Sequence, residues 1–376
     1  MYGDSRFRQL KKTDASASVF CLLYTYEFYN ITAKRIDLFR VLCYDIIKRK
    51  GFIMKKTSYD EKFEKELYDF FDERLPDKIY DAHVHISRDF MKKNGYEGDP
   101  FEFFQSFTAK YMPRKLAGAL VMPQPSSNHT PETLKDDNRY NLELTKRENL
   151  SAGLILRPAC NVERVETLIS ENPQIKALKP YLVYAENAKN VEETDIDTFA
   201  PEWMWSFAND REMPIILHLS HYKELLNHPK NYEQINYFCT KYPKVKLVLA
   251  HCAMGHNVEM LRRGLDKIKG LKNVWFDCSG AGEAAAIAYC IRHFGTEKML
   301  YGGDFDYGTF FGRIYSYGSS WHAMRPTPER DAIAAYRPIN NLQDCLLQLI
   351  YAIDAMGLKE SQIEDIFYNN AKEIYG

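Results

Sequence analysis

The stretch KIYDAHVHIS, residues Lys78–Ser87, places two histidines one residue apart at the end of a β-branched and aromatic run. Side chains at positions i and i+2 of a strand point to the same face of a sheet. A strand here would therefore present His83 and His85 to one place. We interpret them as two ligands of a metal ion whose other ligands come from elsewhere in the chain.

Seven more apolar, branched runs follow and alternate with longer amphipathic segments. The strand candidates begin at Leu116, Ala152, Ile175, Pro214, Val245, Asn273 and Lys298. Helix candidates cover residues 130–149, 161–172 and 229–243, the first opening with a threonine cap and a proline. Apolar strands that alternate with helices indicate a parallel sheet covered on its outer face, and eight such units close most simply into a (β/α)8 TIM barrel. We assign residues 54–376 to this barrel.

Residues 1–53 do not continue the pattern, because they have weak periodicity and no evident helix caps. Two readings remain open for this N-terminal extension. The stretch KRKGFIM can be encoded by purine-rich codons just upstream of the Met54 codon, as a translated bacterial ribosome-binding site would be. Met54 is then the natural start and the extension an artefact of start-site assignment. The other reading is a genuine helical arm.

Composition narrows the classes of partner. The chain has 376 residues, of which 45% are hydrophobic, and its 50 Lys and Arg nearly balance its 51 Asp and Glu. We therefore expect a large core and no nucleic acid partner. The eight cysteines form no C-x-x-C pair, which indicates free thiols in a reducing cytoplasm. The longest N-terminal apolar stretch, VFCLLYTY, is too short to span a bilayer, so we expect no membrane partner.

A barrel of this kind carries its functional side chains at the C-terminal ends of its strands. Polar residues occur there on strands one, three, four, five, six and eight, and strands two and seven offer nothing so obvious. The candidates are His83, His85, Arg157, Lys179, His218, His251 and Asp304. One histidine in an apolar strand is more often a core residue than a ligand. Four histidines and an aspartate at the same end of one barrel are improbable as independent core residues.

Imidazole nitrogens and a carboxylate suit Zn²⁺ or a similar divalent ion. His83, His85, His218 and Asp304 would form such a ligand set, with a coordination position left for water. Water on such an ion loses a proton near neutral pH, and Asp304 would accept or relay that proton. His251 would polarise the substrate or the departing group, or would instead ligate a second metal ion.

The motifs DAHVH, LKPY, ILHLS, LAHCAMG, LYGGDFDYG and IEDIFYNNAKEIYG resemble the amidohydrolase superfamily. The resemblance covers Lys78–Gly376 and is to the amidohydrolase-related branch, which includes proteins like aminocarboxymuconate-semialdehyde decarboxylase and resorcylate decarboxylase. It implies a metal-dependent barrel with the four ligands named above, and with His251 as a catalytic group beside the metal. Relatives are often dimers, so by analogy we expect a homodimer.

Lys179 lies where some superfamily members carry a carbamylated lysine that bridges two metals. In the related branch this lysine is usually not a bridge, so the resemblance implies one divalent ion, Zn²⁺ first, with Mn²⁺ or Fe²⁺ as alternatives. Lys179 and Arg157 would then bind a substrate carboxylate or carbonyl. The alternatives are a lysine that reaches solvent and an arginine paired with a neighbouring acid. His221 would reach the pocket rim or start a surface helix.

Two departures from the family concern the substrate. Cys252, Ala253 and Met254 stand where many relatives have a more glycine-rich turn, and a long aromatic loop, residues 305–340, follows strand eight. We expect this loop to form a lid, a pocket wall or a subunit contact.

The predicted function is a cytoplasmic hydrolase that uses a metal-activated water on an amide, ester or lactone of a small molecule. The alternative is a lyase, a non-oxidative decarboxylase or hydratase acting on a small carboxylic acid. An inactive scaffold would have lost ligands, and none is lost here.

Overall fold

The structure is a computed structural model that describes residues 58–89, 97–110, 112, 114, 116–147, 149–186, 190–318, 320–324 and 339–376. The predicted extension, residues 1–53, and its boundary at Met54 lie outside the described residues.

Eight parallel strands form one sheet in which each strand pairs with the next along the chain. They are β1 (Ile79–His85), β2 (Leu116–Met122), β3 (Leu150–Leu156), β4 (Ile175–Pro180), β5 (Pro214–Leu217), β6 (Lys246–Leu249), β7 (Val274–Asp277) and β8 (Met299–Leu300). Backbone hydrogen bonds connect the chain after β8 to β1, from Asp304 N to His83 O (2.8 Å) and from His85 N to Phe305 O (2.7 Å). These bonds bring the first and last strands together, and the (β/α)8 prediction is confirmed.

Helices alternate with the strands and pack against the outside of the barrel, except that the last helix contributes side chains to the barrel interior. They are α1 (Ser58–Arg74), α2 (Pro100–Thr108), α3 (Pro131–Leu144), α4 (Val162–Glu171), α5 (Ile196–Phe199), α6 (Glu202–Asp210), α7 (Pro229–Lys241), α8 (Arg262–Ile268), α9 (Ala284–Phe294), α10 (Asn341–Met356), α11 (Glu360–Glu364) and α12 (Asn370–Tyr375). The predicted cap of α3 is confirmed, since Thr130 Oγ1 accepts a hydrogen bond from Thr133 N. No helix of the described part of the chain is long and apolar enough to cross a membrane.

Two layers of apolar side chains hold the barrel together. One lies between strands and helices, and the other fills the barrel interior, where Tyr80 stacks on Tyr375 of α12 at 6.3 Å between ring centroids. A β-bulge in β1 changes the strand's alternation, because Asp81 pairs with Ala119 whereas Val84 pairs with Val121.

The bulge therefore affects which side chains of β1 face inward. Tyr80 and Ala82 belong to the interior cluster, whereas Val84 belongs to the outer one. The extra residue allows the interior series of Tyr80 and Ala82 to continue with His83 and His85.

The aromatic loop after β8 contains an antiparallel hairpin of β9 (Arg313–Tyr317) and β10 (Ser320–Met324). Residues 325–338 of this loop lie outside the described residues. Ile314 and Trp321 of the hairpin line the cavity at the C-terminal ends of the strands. Of the three roles predicted for this loop, a pocket wall is the one that the described residues fill.

Candidate metal centre and active site

The two histidines of β1 converge as their spacing predicts. His83 Nε2 and His85 Nε2 lie 3.2 Å apart, and Asp304 Oδ1 lies 3.8 Å from the first and 3.9 Å from the second. One ligand atom from each of the three residues lies within 4.8 Å of the other two. Two imidazoles and a carboxylate at this spacing fit a divalent ion of the zinc type.

Hydrogen bonds to the opposite ring nitrogens orient these imidazoles. His85 Nδ1 contacts the carbonyl of Pro123 at 2.7 Å, and His83 Nδ1 contacts Asp277 Oδ2 at 3.0 Å. Carbonyl and carboxylate oxygens only accept, so each Nδ1 carries the hydrogen and each Nε2 keeps its lone pair. This is the arrangement typical of metal-ligating histidines.

His218 and His251 follow the same rule. His218 Nδ1 contacts the carbonyl of Leu219 at 3.1 Å, and His251 Nδ1 contacts the carbonyl of Ser279 at 2.9 Å. The ring of His251 lies 5.0 Å from that of His83 and 5.3 Å from that of His218. His218 thus lies in the cluster but outside the group of three atoms within 4.8 Å.

Asp277, at the end of β7, is the residue that sequence reasoning missed. Its side chain is 1% exposed and accepts hydrogen bonds from His83 Nδ1 and, through Oδ1, from the backbone of His251 (3.1 Å) and from both N and Oγ of Ser279. Burial raises the pKa of Asp277, but His83, His251 and Ser279 outweigh it, so the net shift is downward. Asp277 therefore orients the two histidines, and strand seven does contribute to the site.

The electrostatics keep the histidines neutral. Burial is the largest cause in each case: it lowers the pKa of His83, lowers the pKa values of His85 and His251 well below the usual range, and lowers the pKa of His218 to about 3. A neutral imidazole is the form that ligates a metal. Burial also raises the pKa of the Asp304 carboxyl well above its usual value.

The backbone is strained at two places in the site. His251, Cys252, Ala253 and Met254 all have positive φ, between 50° and 59°, and Asp304 has a φ of 53°. Left-handed backbone costs a residue with a side chain about 1–2 kcal/mol. Strain of this kind persists where the surrounding structure fixes it, most often at functional sites.

A cavity of about 190 Å³ opens over this cluster. Its described lining consists of His83, His85, Gln124, Pro125, Tyr181, His218, Tyr222, His251, Met254, His256, Gly280, Asp304, Tyr307, Ile314 and Trp321. It is smaller than the cavities of 300–1,000 Å³ that usually hold drug-sized ligands, so it suits a small molecule.

None of the three residues predicted to bind substrate belongs to the described lining of this cavity. Lys179 is fully buried beneath it, with Nζ 3.5 Å from His83 Nε2, and burial lowers the pKa of this amine to about 8. Arg157 donates to the carbonyl of His129 and lies over the ring of Tyr184.

The third of these residues, His221, contacts Asp195 Oδ1 at 3.0 Å and stacks on His228. A role in substrate binding stays a prediction for Lys179, Arg157 and His221.

Gln124 and His256 line the cavity, and sequence reasoning missed both. Gln124 follows Pro123, whose carbonyl holds His85, and it stands at the end of β2 in the run LAGALVMPQ. Its position after a predicted strand was a signal that could have found it. His256 has no such signal, because the left-handed turn after β6 brings it back over the cavity.

The sequence profile of the amidohydrolase family matches residues 80–376, and the chain belongs to this family. No curated protein sequence matches the chain significantly.

Solved structures share the fold. A Staphylococcus aureus protein described as an amidohydrolase has a TM-score of 0.53 and 13% identity over 80% of this chain and 99% of its own. A Burkholderia multivorans amidohydrolase with bound zinc has a TM-score of 0.50 and 12% identity over 79% of this chain and 98% of its own. A dihydroxybenzoic acid decarboxylase from Polaromonas, with bound manganese and 2-nitroresorcinol, has a TM-score of 0.49 and 11% identity over 80% and 97%. At these identities the likeness to the first two structures shows the fold alone.

Proposed function

We propose that this protein is a metal-dependent hydrolase that uses a metal-activated water to cleave an amide, ester or lactone of a small molecule. The observation that carries the proposal is the convergence of His83 Nε2, His85 Nε2 and Asp304 Oδ1, with both imidazoles held through Nδ1. His218 completes the proposed ligand set for one divalent ion. We propose Zn²⁺, with Mn²⁺ and Fe²⁺ as alternatives.

Each residue then has a distinct part. A divalent ion supplies a lowered pKa for water and polarises a carbonyl. The Asp304 carboxylate lies within 4 Å of both β1 imidazoles and is the proposed acceptor for the proton of the attacking water. His251 keeps its Nε2 free, since its Nδ1 is held by Ser279, and that nitrogen exchanges a proton with the substrate or the departing group. Aromatic side chains line the cavity around these groups.

The alternative is a lyase that decarboxylates or hydrates a small carboxylic acid with the same ligands. Among the described residues that line the cavity, none is a lysine or an arginine. A substrate carboxylate would find a cation only in the metal, or in Lys179 beneath the floor. This observation favours an uncharged carbonyl substrate and therefore hydrolysis.

The first experiment measures metal per chain by inductively coupled plasma mass spectrometry on untagged protein. We expect about one equivalent in the wild type and none in the His83→Ala, His85→Ala double variant. The matched control is His293→Ala on α9, which is absent from the described cavity lining; it should keep its metal. A wild type that takes up neither Zn²⁺, Mn²⁺ nor Fe²⁺ on reconstitution would refute the proposal.

The second experiment separates the reactions. The metal-loaded protein is given a panel of esters, lactones, amides and phenolic acids, and new acid groups are titrated while released carbon dioxide is measured. New acid groups without released carbon dioxide would support the hydrolase. Released carbon dioxide would support the lyase instead.

Assembly and location remain predictions. We propose a cytoplasmic homodimer, and light scattering that finds only monomer at micromolar concentration would remove the dimer. In the described residues, six cysteines are free thiols, which agrees with a reducing compartment.

A further inference from the structure

We infer that the cavity recognises an uncharged hydrogen-bonding group of the substrate, a hydroxyl or a carboxamide on a small planar body, through His256 and Gln124. This inference rests on the proposed function, because it takes the reacting carbonyl to lie at the cluster of His83, His85 and Asp304.

His256 is the strongest single observation. The residue is 2% exposed and lines the cavity, and its ring lies near the backbone of Gly280, which acts on its pKa as a hydrogen-bond partner. This contact serves one ring nitrogen at most, and its geometry is poor enough that neither Nδ1 nor Nε2 has a well-formed hydrogen bond to the described residues. Buried polar groups in native proteins are nearly always hydrogen-bonded, and each exception requires an explanation. At least one nitrogen of the His256 ring therefore lacks a partner, and this is explained if the partner arrives with the substrate.

Gln124 is a second, independent case. Its Oε1 is buried without a hydrogen-bond partner among the described residues, and the side chain lines the same cavity. Its neighbour Pro123 holds His85, so the backbone that supports a proposed metal ligand also carries Gln124. The two residues come from different strand ends and so converge only in the folded barrel.

The charges around the cavity define the class of group. Burial lowers the pKa of His256 to about 4, so at neutral pH the ring offers one donor and one acceptor and no charge. Asp304 is the single acidic residue of the described lining, which contains neither lysine nor arginine. A carboxylate or phosphate on the far part of the substrate would be buried there without a partner, which is unfavourable. A hydroxyl or carboxamide matches what His256 and Gln124 offer.

The walls define the body that carries this group. Tyr181, Tyr222, Tyr307 and Trp321 line the cavity, and the Trp321 ring lies 4.9 Å from that of His256. Flat aromatic walls around about 190 Å³ suit one ring of a planar substrate. Trp321 belongs to the hairpin after β8, so this hairpin also holds His256 in place.

The test uses benzohydroxamate, whose hydroxamate binds active-site metals and whose ring probes the cavity. Isothermal titration calorimetry on the metal-loaded protein compares it with the 3- and 4-hydroxy, 4-carbamoyl and 4-carboxy derivatives. We expect at least one hydroxy or carbamoyl derivative to bind about 5- to 100-fold more tightly than the parent, the range for pairing a buried polar group. The 4-carboxy derivative should bind more weakly than the parent.

Two variants assign this preference. His256→Phe keeps a flat ring against Trp321, and Gln124→Leu keeps the size of the side chain; each should lose most of the preference while the parent compound still binds. The control is His293→Phe on α9, whose ring contacts the carbonyl of Tyr289; it should keep the preference. Binding of the parent compound shows that each variant is folded and loaded with metal.

The outcomes separate this inference from the proposed function. If the parent compound binds and no neutral derivative is preferred, or if the preference survives in both variants, the inference is wrong and the metal-dependent site stands. If the 4-carboxy derivative binds best, the substrate is an acid and the lyase is favoured. If the metal-loaded protein binds none of the compounds, the open metal site is wrong, and the inference fails with it.

Discussion

Replacing Asp277 with asparagine should weaken metal binding without removing any ligand. The carboxylate accepts from His83 Nδ1 with one oxygen and from His251 N, Ser279 N and Ser279 Oγ with the other. Asparagine keeps one side-chain oxygen, which can still accept from His251 N, Ser279 N and Ser279 Oγ. Its NH₂ group then stands where Oδ2 was, 3.0 Å from His83 Nδ1.

Two donors cannot share that contact, so His83 should change tautomer. Nδ1 then accepts from the new amide, Nε2 carries the hydrogen, and the lone pair that faces His85 and Asp304 is lost. Restoring the ligating tautomer leaves a buried donor unpaired, which costs about 1–3 kcal/mol. Loss of such supporting contacts typically weakens metal affinity about 10- to 100-fold, and we expect Asp277→Asn to fall in this range.

The assay is competition for Zn²⁺ with a chromophoric chelator, joined to ¹⁵N nuclear magnetic resonance of the histidine rings in the metal-free protein. The control is Asp344→Asn on α10, a buried aspartate that lies 3.4 Å from Arg313 and is absent from the described cavity lining. An unchanged tautomer of His83 together with wild-type affinity would refute the reasoning. Equal weakening in the control would assign the effect to general destabilisation.

Three further predictions concern the fold and the metal. Ala253→Gly should leave the free energy of unfolding within about 1 kcal/mol of wild type. The reason is that relief of left-handed backbone, about 1–2 kcal/mol, offsets the lost burial of a methyl group and the greater chain entropy of the unfolded state. The control, Ala352→Gly in α10, should cost about 2 kcal/mol, and equal losses for the two variants in urea denaturation would contradict this prediction. Asp99 is the N-cap of α2, and its hydrogen bond with Arg147 lowers the pKa of its carboxyl. The charged carboxylate therefore stabilises the fold above its unfolded pKa of about 3.9, and this stabilisation is lost as the pH falls through the folded pKa. Asp99→Asn, which keeps a good helix cap, should therefore be less stable by under about 1 kcal/mol at pH 7 and equal to wild type near pH 2. Chelation of the metal should lower the melting temperature of the wild type but not of the His83→Ala, His85→Ala variant, because a ligand that binds only the native state stabilises it by mass action; a wild-type melting temperature that does not move would argue against a resident metal.

The barrel was predictable because its signals are local. Each strand is a short apolar run. It pairs in parallel with the runs that precede and follow it in sequence, as β1 pairs with β2. Strand ends then locate His83, His85, His218, His251 and Asp304 without knowledge of any contact, since all eight ends meet on one face. The family resemblance assigned roles to these residues.

The remainder depends on contacts that one sequence does not contain. Asp277 ends the run VWFD as an acidic residue in an apolar strand, and only its contact with His83 reveals what it orients. Arg157 ends a strand equally well, yet it donates to the carbonyl of His129. Strand-end position therefore predicts which side chains reach this face of the barrel, but not which of them turn toward the metal.

The left-handed turn after β6 and the orientation of the metal-binding His83 both depend on Asp277. Cys252, Ala253 and Met254 have positive φ although none of them is a glycine, so the sequence does not indicate this conformation. An isolated turn with these residues would relax to right-handed backbone. Asp277 opposes that relaxation, because its Oδ1 accepts from the backbone N–H of His251 while its Oδ2 holds the ring of His83. The buried carboxylate of Asp277 thus stabilises the strained backbone that positions His251. It also stabilises the tautomer in which His83 Nε2 can bind a metal. Asp277→Asn should therefore change the tautomer of His83 more than the position of His251, because the amide oxygen can still accept from the backbone N–H of His251. The proposed proton-transfer role of His251 should then persist when metal affinity has fallen.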